Sequence, residues 1–198
     1  MTLARDNLYD FFQTRVDEAR GERGVDLSED SARYLAQLLV QRQRLPGDDG
    51  ETLAELHLEA ARAERIQEAM HLYRRLGDRA LYTAGYFRDS LSRKAVGVQY
   101  YADMGGSAYH RVSTLGGGWV IDEDPWTRMF GELARRFRDC LEVLGDVAER
   151  NLAEGSDDIL GLYERWLQTG SPAIERRLRE LGLLTPAGAA AAGDTELA

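Results

Sequence analysis

Apolar residues recur at every third or fourth position along most of this 198-residue chain, which is the spacing of amphipathic helices. The two-residue alternation that marks a half-buried strand is found nowhere in convincing form. Interruptions rich in glycine, proline and aspartate separate eight segments of helical spacing. The pattern predicts an all-α fold, a single-domain helical bundle of seven or eight helices with one long central helix.

Glycine and serine set the predicted limits of the first two helices. The first spans about 3–20 and is followed by Gly21 and Gly24, which tolerate the left-handed conformation that closes a helix. Ser28 can cap the second helix because its hydroxyl can accept a hydrogen bond from a free amide of the first turn. The second helix is expected to reach about Leu45, after which the sequence PGDDG interrupts the chain.

The long central helix is predicted from a capping box. Thr52 and Glu55 have the spacing at which each side chain can bind the other's free amide at the start of a helix. This third helix extends for about 24 residues to Leu76, where Gly77 is expected to stop it and Asp78 to cap a fourth helix. The apolar face of the fourth helix comprises Leu81, Ala84, Phe87 and Leu91.

A fifth helix, over residues 97–115, contains a Gly-Gly pair in its interior. The apolar positions keep their three- or four-residue spacing on both sides of Gly105 and Gly106, which a turn would not allow. Each interior glycine costs roughly 1 kcal/mol relative to alanine, so another segment is expected to approach closely there. We predict close helix packing at Gly97, Gly105 and Gly106. The bulky neighbours expected for this contact are Tyr86, Phe87 or Trp119.

The last three helices are predicted from their N-caps. Asp124 and Pro125 begin a sixth helix, Ser156 begins a seventh, and Ser171 followed by Pro172 begins an eighth. Apolar residues form one stripe along the sixth helix, namely Trp126, Met129, Phe130, Leu133, Phe137, Cys140, Leu141, Leu144 and Val147.

The end of the chain is poor in large apolar side chains. Its last residues read TPAGAAAAGDTELA, and such a segment has little with which to dock onto a core. We therefore predict one all-α domain, residues 1–184, followed by a flexible C-terminal tail, residues 185–198.

Composition narrows the classes of partner. The formal charge of −9 opposes attraction to nucleic acid and to an anionic membrane surface. No uncharged apolar stretch approaches the roughly 18 residues of a membrane span, and the N-terminus lacks the apolar segment of a signal peptide. The one cysteine, Cys140, excludes a disulfide within the chain and a C-x-x-C site. We expect a cytoplasmic protein that binds neither nucleic acid nor membrane.

Two short patterns contain residue types used in catalysis or metal binding. Asp103, Ser107 and His110 have the types of a catalytic triad, but on one helix both partners lie on the N-terminal side of the histidine and cannot hold its ring from two sides. Glu68 and His71 have the Glu-x-x-His spacing of di-iron bundles, but no second such pair occurs. No catalytic residue and no cofactor are predicted, and Glu68 with His71 remains an alternative metal site.

Tyrosines and charged residues are concentrated on the predicted fourth and fifth helices. If these helices are antiparallel neighbours, the side chains form a polar, aromatic zone, which is the composition of an interface core or of a small-ligand cleft. A third interpretation places the tyrosines at the boundary of the core with their hydroxyls in water. The residues predicted to bind a partner or ligand are Tyr82, Tyr86, Asp89, Arg93, Tyr100, Asp103, Tyr109 and His110.

These patterns lead to two hypotheses about function. The first is a non-enzymatic cytoplasmic protein, regulatory or adaptor in role, that acts through protein–protein contacts and can pair as a homodimer. The alternative is a sensor or enzyme that binds a small ligand or metal between the third, fourth and fifth helices. Because no catalytic constellation in the sequence can close, the first hypothesis is favoured over an enzyme.

Overall fold

The computed structural model describes residues 3–42, 51–86, 97–116, 124–155, 166 and 172–181. All regular elements in these ranges are helices, so the all-α prediction is confirmed. The chain divides into two compact units, Met1–Val147 and Ala148–Ala198, which are described separately. The predicted tail, residues 185–198, lies outside the described residues. The helices are α1 (Leu3–Arg23), α2 (Glu29–Arg42), α3 (Leu53–Arg62), α4 (Ile66–Tyr86), α5 (Val98–Gly116), α6 (Pro125–Arg135), α7 (Phe137–Gly155) and α8 (Pro172–Glu180).

Helix α4 lies at the centre of the first unit. It packs against α3, α5 and α2, while α1 packs against α2, and α6 packs against α5 and α2. The α4–α7 contact is also close, because a Cβ atom at Gly85 would lie 2.8 Å from the Cβ of Leu144. One continuous set of buried apolar side chains joins these helices. The long central helix of the bundle is therefore α4.

Helix α1 ends in the motif that its glycines predict. Gly24 has φ 64, its N–H donates to the carbonyl of Gly21 at 3.2 Å, and the N–H of Val25 donates to the carbonyl of Arg20 at 2.9 Å. This pair of bonds is the Schellman arrangement, in which a left-handed glycine satisfies the last carbonyls of a helix. Gly24 ends the helix as predicted, whereas Gly21 lies inside it, so α1 continues to Arg23.

Ser28 caps helix α2, as predicted, and the start of this helix is tied to α6. The N–H of Ser31 donates to the Ser28 hydroxyl at 3.2 Å, and the Ser28 N–H donates to Glu132 at 3.1 Å. The hydroxyls of Ser28 and Ser31 also donate to Glu132. Partial burial of Glu132 raises the pKa of its carboxyl, but these hydrogen bonds outweigh it and the net pKa is lowered. Glu132 thus acts as an anionic cap supplied by another helix.

The predicted long third helix is wrong in its extent. Its capping box is present, since the Thr52 N–H donates to the Glu55 carboxylate at 2.7 Å and the Glu55 N–H donates to the Thr52 hydroxyl at 3.2 Å. However, α3 ends at Arg62, and Ala63 adopts an extended conformation with ψ 126. The connection 63–65 lets α3 fold back onto α4. Because it contains neither glycine nor proline, helical spacing alone did not reveal it.

The predicted interruption at Gly77 and Asp78 is also wrong. Helix α4 continues through both residues to Tyr86, and both are buried. A Cβ atom at Gly77 would lie 2.4 Å from the Tyr109 ring, so this glycine provides space for a core side chain. Residues 87 and 91 of the predicted fourth helix lie outside the described residues.

Helix α5 passes through Gly105 and Gly106 without a break, as predicted. A Cβ atom at Gly105 would lie 2.1 Å from the Phe137 ring and 2.9 Å from the Cβ of Ala80. The close neighbour is therefore Phe137 of α7 rather than any of the aromatic residues expected, of which 87 and 119 lie outside the described residues. A Cβ atom at Gly106 would lie 3.6 Å from its nearest neighbours, which is an ordinary contact. A Cβ atom at Gly97 would have no neighbour within 4 Å, so close packing does not account for Gly97.

The predicted sixth helix consists of two helices. Asp124 caps α6 by accepting hydrogen bonds from the N–H groups of Trp126 at 3.4 Å and Thr127 at 3.1 Å, and Pro125 occupies the first turn, as predicted. The helix ends before Arg136, which has φ −103 and ψ 25, and α7 begins at Phe137. The apolar stripe is buried along both helices except at Trp126, which is 39% exposed.

The second unit contains α8, which begins at Pro172 as predicted. Ile174 and Leu178 are buried, and Trp166 packs against them. Leu181, just beyond the helix, is exposed. Of the predicted seventh helix, which begins at Ser156, only Trp166 is among the described residues. None of the helices in the described ranges has the length and apolar character required to cross a membrane.

Gly105 and Gly106 offer a matched test of helix packing. We expect Gly105→Ala to destabilise the protein by about 1–3 kcal/mol, because the new methyl group would overlap Phe137. Gly106→Ala should be neutral or stabilising by up to about 1 kcal/mol, since its methyl has ordinary contacts and alanine favours helix. Urea denaturation measures both values, and equal effects at the two positions would contradict this packing.

Candidate functional site

A buried carboxylate joins three helices of the first unit. Asp78 lies on α4, and its Oδ1 atom accepts a hydrogen bond from the Tyr34 hydroxyl of α2 at 2.5 Å and from the Tyr109 hydroxyl of α5 at 2.7 Å. All three residues are buried. Since a buried charge is costly unless donors surround it, these two hydroxyls are what makes Asp78 tolerable in the core.

Arg74 extends this network toward the surface. Its Nε donates to the Tyr34 hydroxyl at 3.0 Å and lies 3.7 Å from Oδ2 of Asp78. The guanidinium lies over the rings of Tyr34 and Trp126, at 5.5 and 5.3 Å from their centroids. With its side chain 33% exposed, Arg74 connects the buried carboxylate with solvent beside Trp126.

The missing side chain of Gly77 allows Tyr109 to reach Asp78. The Tyr109 ring lies directly against the α4 backbone at Gly77, one residue before the carboxylate that it binds. The ring also packs edge-on against Phe130, with centroids 5.2 Å apart, and beside Phe137 at 5.6 Å. Aromatic packing and hydrogen bonding therefore fix the same side chain.

Burial dominates the protonation equilibria of this network. It raises the pKa of Asp78, and the hydrogen bonds from Tyr34 and Tyr109 and the charge of Arg74 oppose it only in part. The pKa values of Tyr34 and Tyr109 are raised well above 10, first by burial and then by the Asp78 charge. Both tyrosines are therefore neutral hydrogen-bond donors at physiological pH. The arrangement holds helices together and presents no activated nucleophile.

The structure separates the residues predicted to bind a partner or ligand. Tyr109 is fully buried in the Asp78 network, so its assignment to a contact surface is corrected: it is a core residue. Tyr100, Asp103 and His110 are exposed on α5, where Asp103 accepts a hydrogen bond from Gln99 at 2.7 Å. Asp89 and Arg93, which were also predicted to bind a partner or ligand, lie outside the described residues.

Tyr82 and Tyr86 remain together at the end of α4. Their rings are stacked, with centroids 5.4 Å apart and an interplanar angle of 9°, and both are partly exposed. The guanidinium of Arg42, from the end of α2, lies 5.8 Å from the Tyr82 centroid. This is a cation–π contact between neighbouring helices.

A second arginine and a third tyrosine complete this surface. Burial and the nearby charge of Arg42 lower the pKa of Arg79, while Tyr101 of α5 is close enough to oppose that change. Burial raises the pKa of Tyr82, so its hydroxyl stays protonated. The tyrosine–arginine surface is defined here as Arg42, Arg79, Tyr82, Tyr86 and Tyr101.

The remaining candidates from the sequence are Glu68, His71 and Cys140. Glu68 and His71 are exposed on α4. Within the described ranges, no group of three or more His, Cys, Asp or Glu side chains could hold a metal ion. Cys140 is buried on α7, and burial raises the pKa of its thiol, which is the environment of an unreactive cysteine.

Sequence reasoning missed Asp78, Tyr34 and Arg74, although a signal was present. Apolar residues keep helical spacing from Leu72 to Ala84 straight through Gly77, as they do through the Gly-Gly pair of α5. Applied there, the same test would have placed Asp78 inside a helix on its buried side. No comparable signal in one sequence pairs Arg42 with Tyr82.

No protein-family model, curated protein or solved structure matches this chain. We therefore infer the function from the geometry of the described residues.

Replacing Asp78 with asparagine removes the buried titrating group and keeps its shape. Because the folded-state pKa of Asp78 is raised above its ordinary 3.8, the folded state binds the proton more readily than the unfolded state between those two pKa values. The contribution of this carboxyl to stability therefore falls as the pH rises through that window. We expect the free energy of unfolding of the wild type, minus that of Asp78→Asn, to decrease as the pH rises above the ordinary pKa of 3.8.

Urea denaturation of both proteins at stepped pH measures this difference. A difference that increases with pH would mean that the tyrosine hydroxyls and Arg74 outweigh burial, and would contradict a raised pKa at Asp78.

Proposed function

We propose that this chain is a non-enzymatic cytoplasmic protein, regulatory or adaptor in role, that acts through protein–protein contacts made by the tyrosine–arginine surface. The observation that carries the proposal is the parallel stack of Tyr82 and Tyr86 with Arg42 over the Tyr82 ring. Tyrosine and arginine are among the residues most enriched in interface hot spots. Here they come from two helices and meet at one partly exposed place.

Rigidity supports a binding role for this surface. Ordering a flexible side chain on binding costs about 0.5–1.5 kcal/mol, which weakens association. The rings of Tyr82 and Tyr86 already hold each other, and α2 holds Arg42 against them. A partner would therefore meet aromatic groups that have lost much of this freedom in the free protein.

The charge of the surface indicates the chemistry of the partner. Arg42 and Arg79 place two guanidinium groups on this surface, near enough for the charge of Arg42 to lower the pKa of Arg79. A complementary surface would carry acidic groups. Acidic groups of this kind occur on the chain itself, which has 34 aspartate and glutamate residues, so self-association is the form proposed.

The alternative, a ligand or metal site between the predicted third, fourth and fifth helices, has less support. Tyr109 fills the space beside Gly77, and Phe137 fills the space at Gly105. The space that glycine leaves at these two positions is thus filled by aromatic rings of the protein itself. The other observation behind a metal site is the pair Glu68 and His71, and these are exposed side chains on one helix.

We expect the wild-type protein to show concentration-dependent dimerisation in sedimentation velocity over about 1–100 µM, the range in which modest interfaces populate. Tyr82→Ala removes the ring that Tyr86 and Arg42 both contact, and should weaken the dimer by about tenfold or more, as expected of a hot-spot residue.

Phe11→Ala is the matched control. Phe11 is an exposed aromatic residue of α1 with Arg15 lying 5.2 Å from its ring centroid, so it has the same kind of contact outside the proposed surface. It should leave the dimer unchanged. A wild-type chain that stays monomeric over this range, or equal losses in Tyr82→Ala and Phe11→Ala, would contradict self-association through this surface.

A further inference from the structure

The two oxygens of the Asp78 carboxylate have different surroundings. Oδ1 accepts both tyrosine hydroxyls, those of Tyr34 and Tyr109. Oδ2 accepts no hydrogen bond from any described residue, and the Nε atom of Arg74 lies 3.7 Å from it, which is beyond hydrogen-bond distance. A proton that binds this carboxylate can therefore sit on Oδ2 while both tyrosine bonds to Oδ1 persist.

Protonation of Oδ2 changes what Arg74 meets in the core. The carboxylate attracts the guanidinium, and Oδ2 is an acceptor beside its Nε–H group. A protonated Oδ2 has no charge and becomes a donor, as the Nε–H group already is. Two donors at this separation do not attract each other, so Arg74 loses the interaction that holds it toward the buried carboxyl.

Arg74 is the member of this network that has room to move. Its side chain is 33% exposed, whereas Asp78, Tyr34 and Tyr109 are buried. Besides the ion pair, the guanidinium has a hydrogen bond to the Tyr34 hydroxyl and lies over the rings of Tyr34 and Trp126. Loss of the ion pair thus leaves a cation at the surface whose remaining contacts compete directly with water.

The groups that act on the charge of Asp78 are two tyrosine hydroxyls and two guanidinium groups. They are Tyr34 and Arg42 of α2, Arg74 of α4 and Tyr109 of α5. From α6, Phe130 packs against both tyrosines and does not titrate. From α7, Cys140 acts on Tyr109 but stays a thiol, because burial raises its pKa. Since both tyrosines also remain protonated, the Asp78 carboxyl is the group in this cluster that changes charge in acid.

We propose that Asp78 and Arg74 form a pH-sensitive switch, in which protonation of the buried carboxyl releases Arg74 from the core and from the Trp126 ring. The helices stay together in both states because the tyrosine bonds to Oδ1 are retained. At neutral pH the guanidinium covers the Trp126 ring, and in acid it projects into solvent. Neither Arg74 nor Trp126 belongs to the tyrosine–arginine surface, so the switch is independent of the proposed self-association.

The test is an NMR titration of the full chain from neutral pH to below 3.8, the ordinary pKa of an aspartate. It follows the carboxyl carbon of Asp78, the Nε–H of Arg74 and the indole N–H of Trp126. We expect all three signals to change with one shared midpoint above pH 3.8, because burial favours the protonated carboxyl. A carboxyl that titrates while the Arg74 and Trp126 signals stay constant would overturn the proposal.

Asp78→Asn is expected to hold Arg74 in the released state at every pH. The amide oxygen can accept the tyrosine hydroxyls, and the amide NH₂ presents a donor to Arg74, as the protonated carboxyl does. The Arg74 and Trp126 signals of this variant at neutral pH should therefore match those of the wild type in acid, and the step above pH 3.8 should be lost. A step that persists in Asp78→Asn would belong to another group and would also overturn the switch.

Asp124→Asn is the matched control, since Asp124 is a second carboxylate beside Trp126. It accepts a hydrogen bond from the Trp126 N–H at 3.4 Å, and hydrogen bonds from the hydroxyl and N–H of Thr127 lower its pKa, so any step that it causes lies below pH 3.8. Asparagine is also a good N-cap, which preserves α6. This variant should keep the upper step at Trp126. Loss of that step would mean that Trp126 reports the α6 cap rather than Arg74, contrary to the proposal.

Discussion

The hydrogen bonds of one buried carboxylate determine how the central helices of this protein meet. Asp78 of α4 accepts from Tyr34 of α2 and from Tyr109 of α5. Removing one partner from such a network leaves a buried polar group unpaired, which is far more costly than a lost surface contact. The relative positions of α2, α4 and α5 are therefore specified chemically as well as by apolar packing.

The position of α2 against α4 also determines which side chains meet at the surface. Because α2 is held against α4 by Tyr34, its last residue, Arg42, is carried to the Tyr82 ring one turn beyond Asp78. The tyrosine–arginine surface is in this sense the outer end of the buried network. A change in the core contact would displace the cation from the aromatic pair.

Features decided within one turn were predictable from the sequence, whereas most features decided between helices, the close contact at Gly105 excepted, were not. The caps at Gly24, Thr52 with Glu55, and Asp124 all depend on bonds between residues at most five positions apart. The break after Arg62 and the continuity at Gly77 depend on how α3 and α5 pack against α4. A glycine can therefore mark a helix end or a close contact, and at Gly77 it is the apolar spacing on both sides that separates the two.

The same division applies to the candidate sites. The stacking of Tyr82 with Tyr86 follows from their separation of one helical turn, which puts both rings on one face of the helix. The burial of Tyr109 depends on Gly77, and the break between α6 and α7 at Arg136 is one that nothing in the spacing indicates. Sequence located the aromatic region but could not tell which of its rings lies inside.

The glycines of helices α4 and α5 affect how the chain folds. Helix α4 contains Gly77 and Gly85, and α5 contains Gly105 and Gly106, and each lowers the intrinsic helicity of its segment. Neither segment is suited to persist as a helix in isolation. Docking of Phe137, Leu144 and Tyr109 into the gaps stabilises both helices, so their secondary structure depends on tertiary contacts.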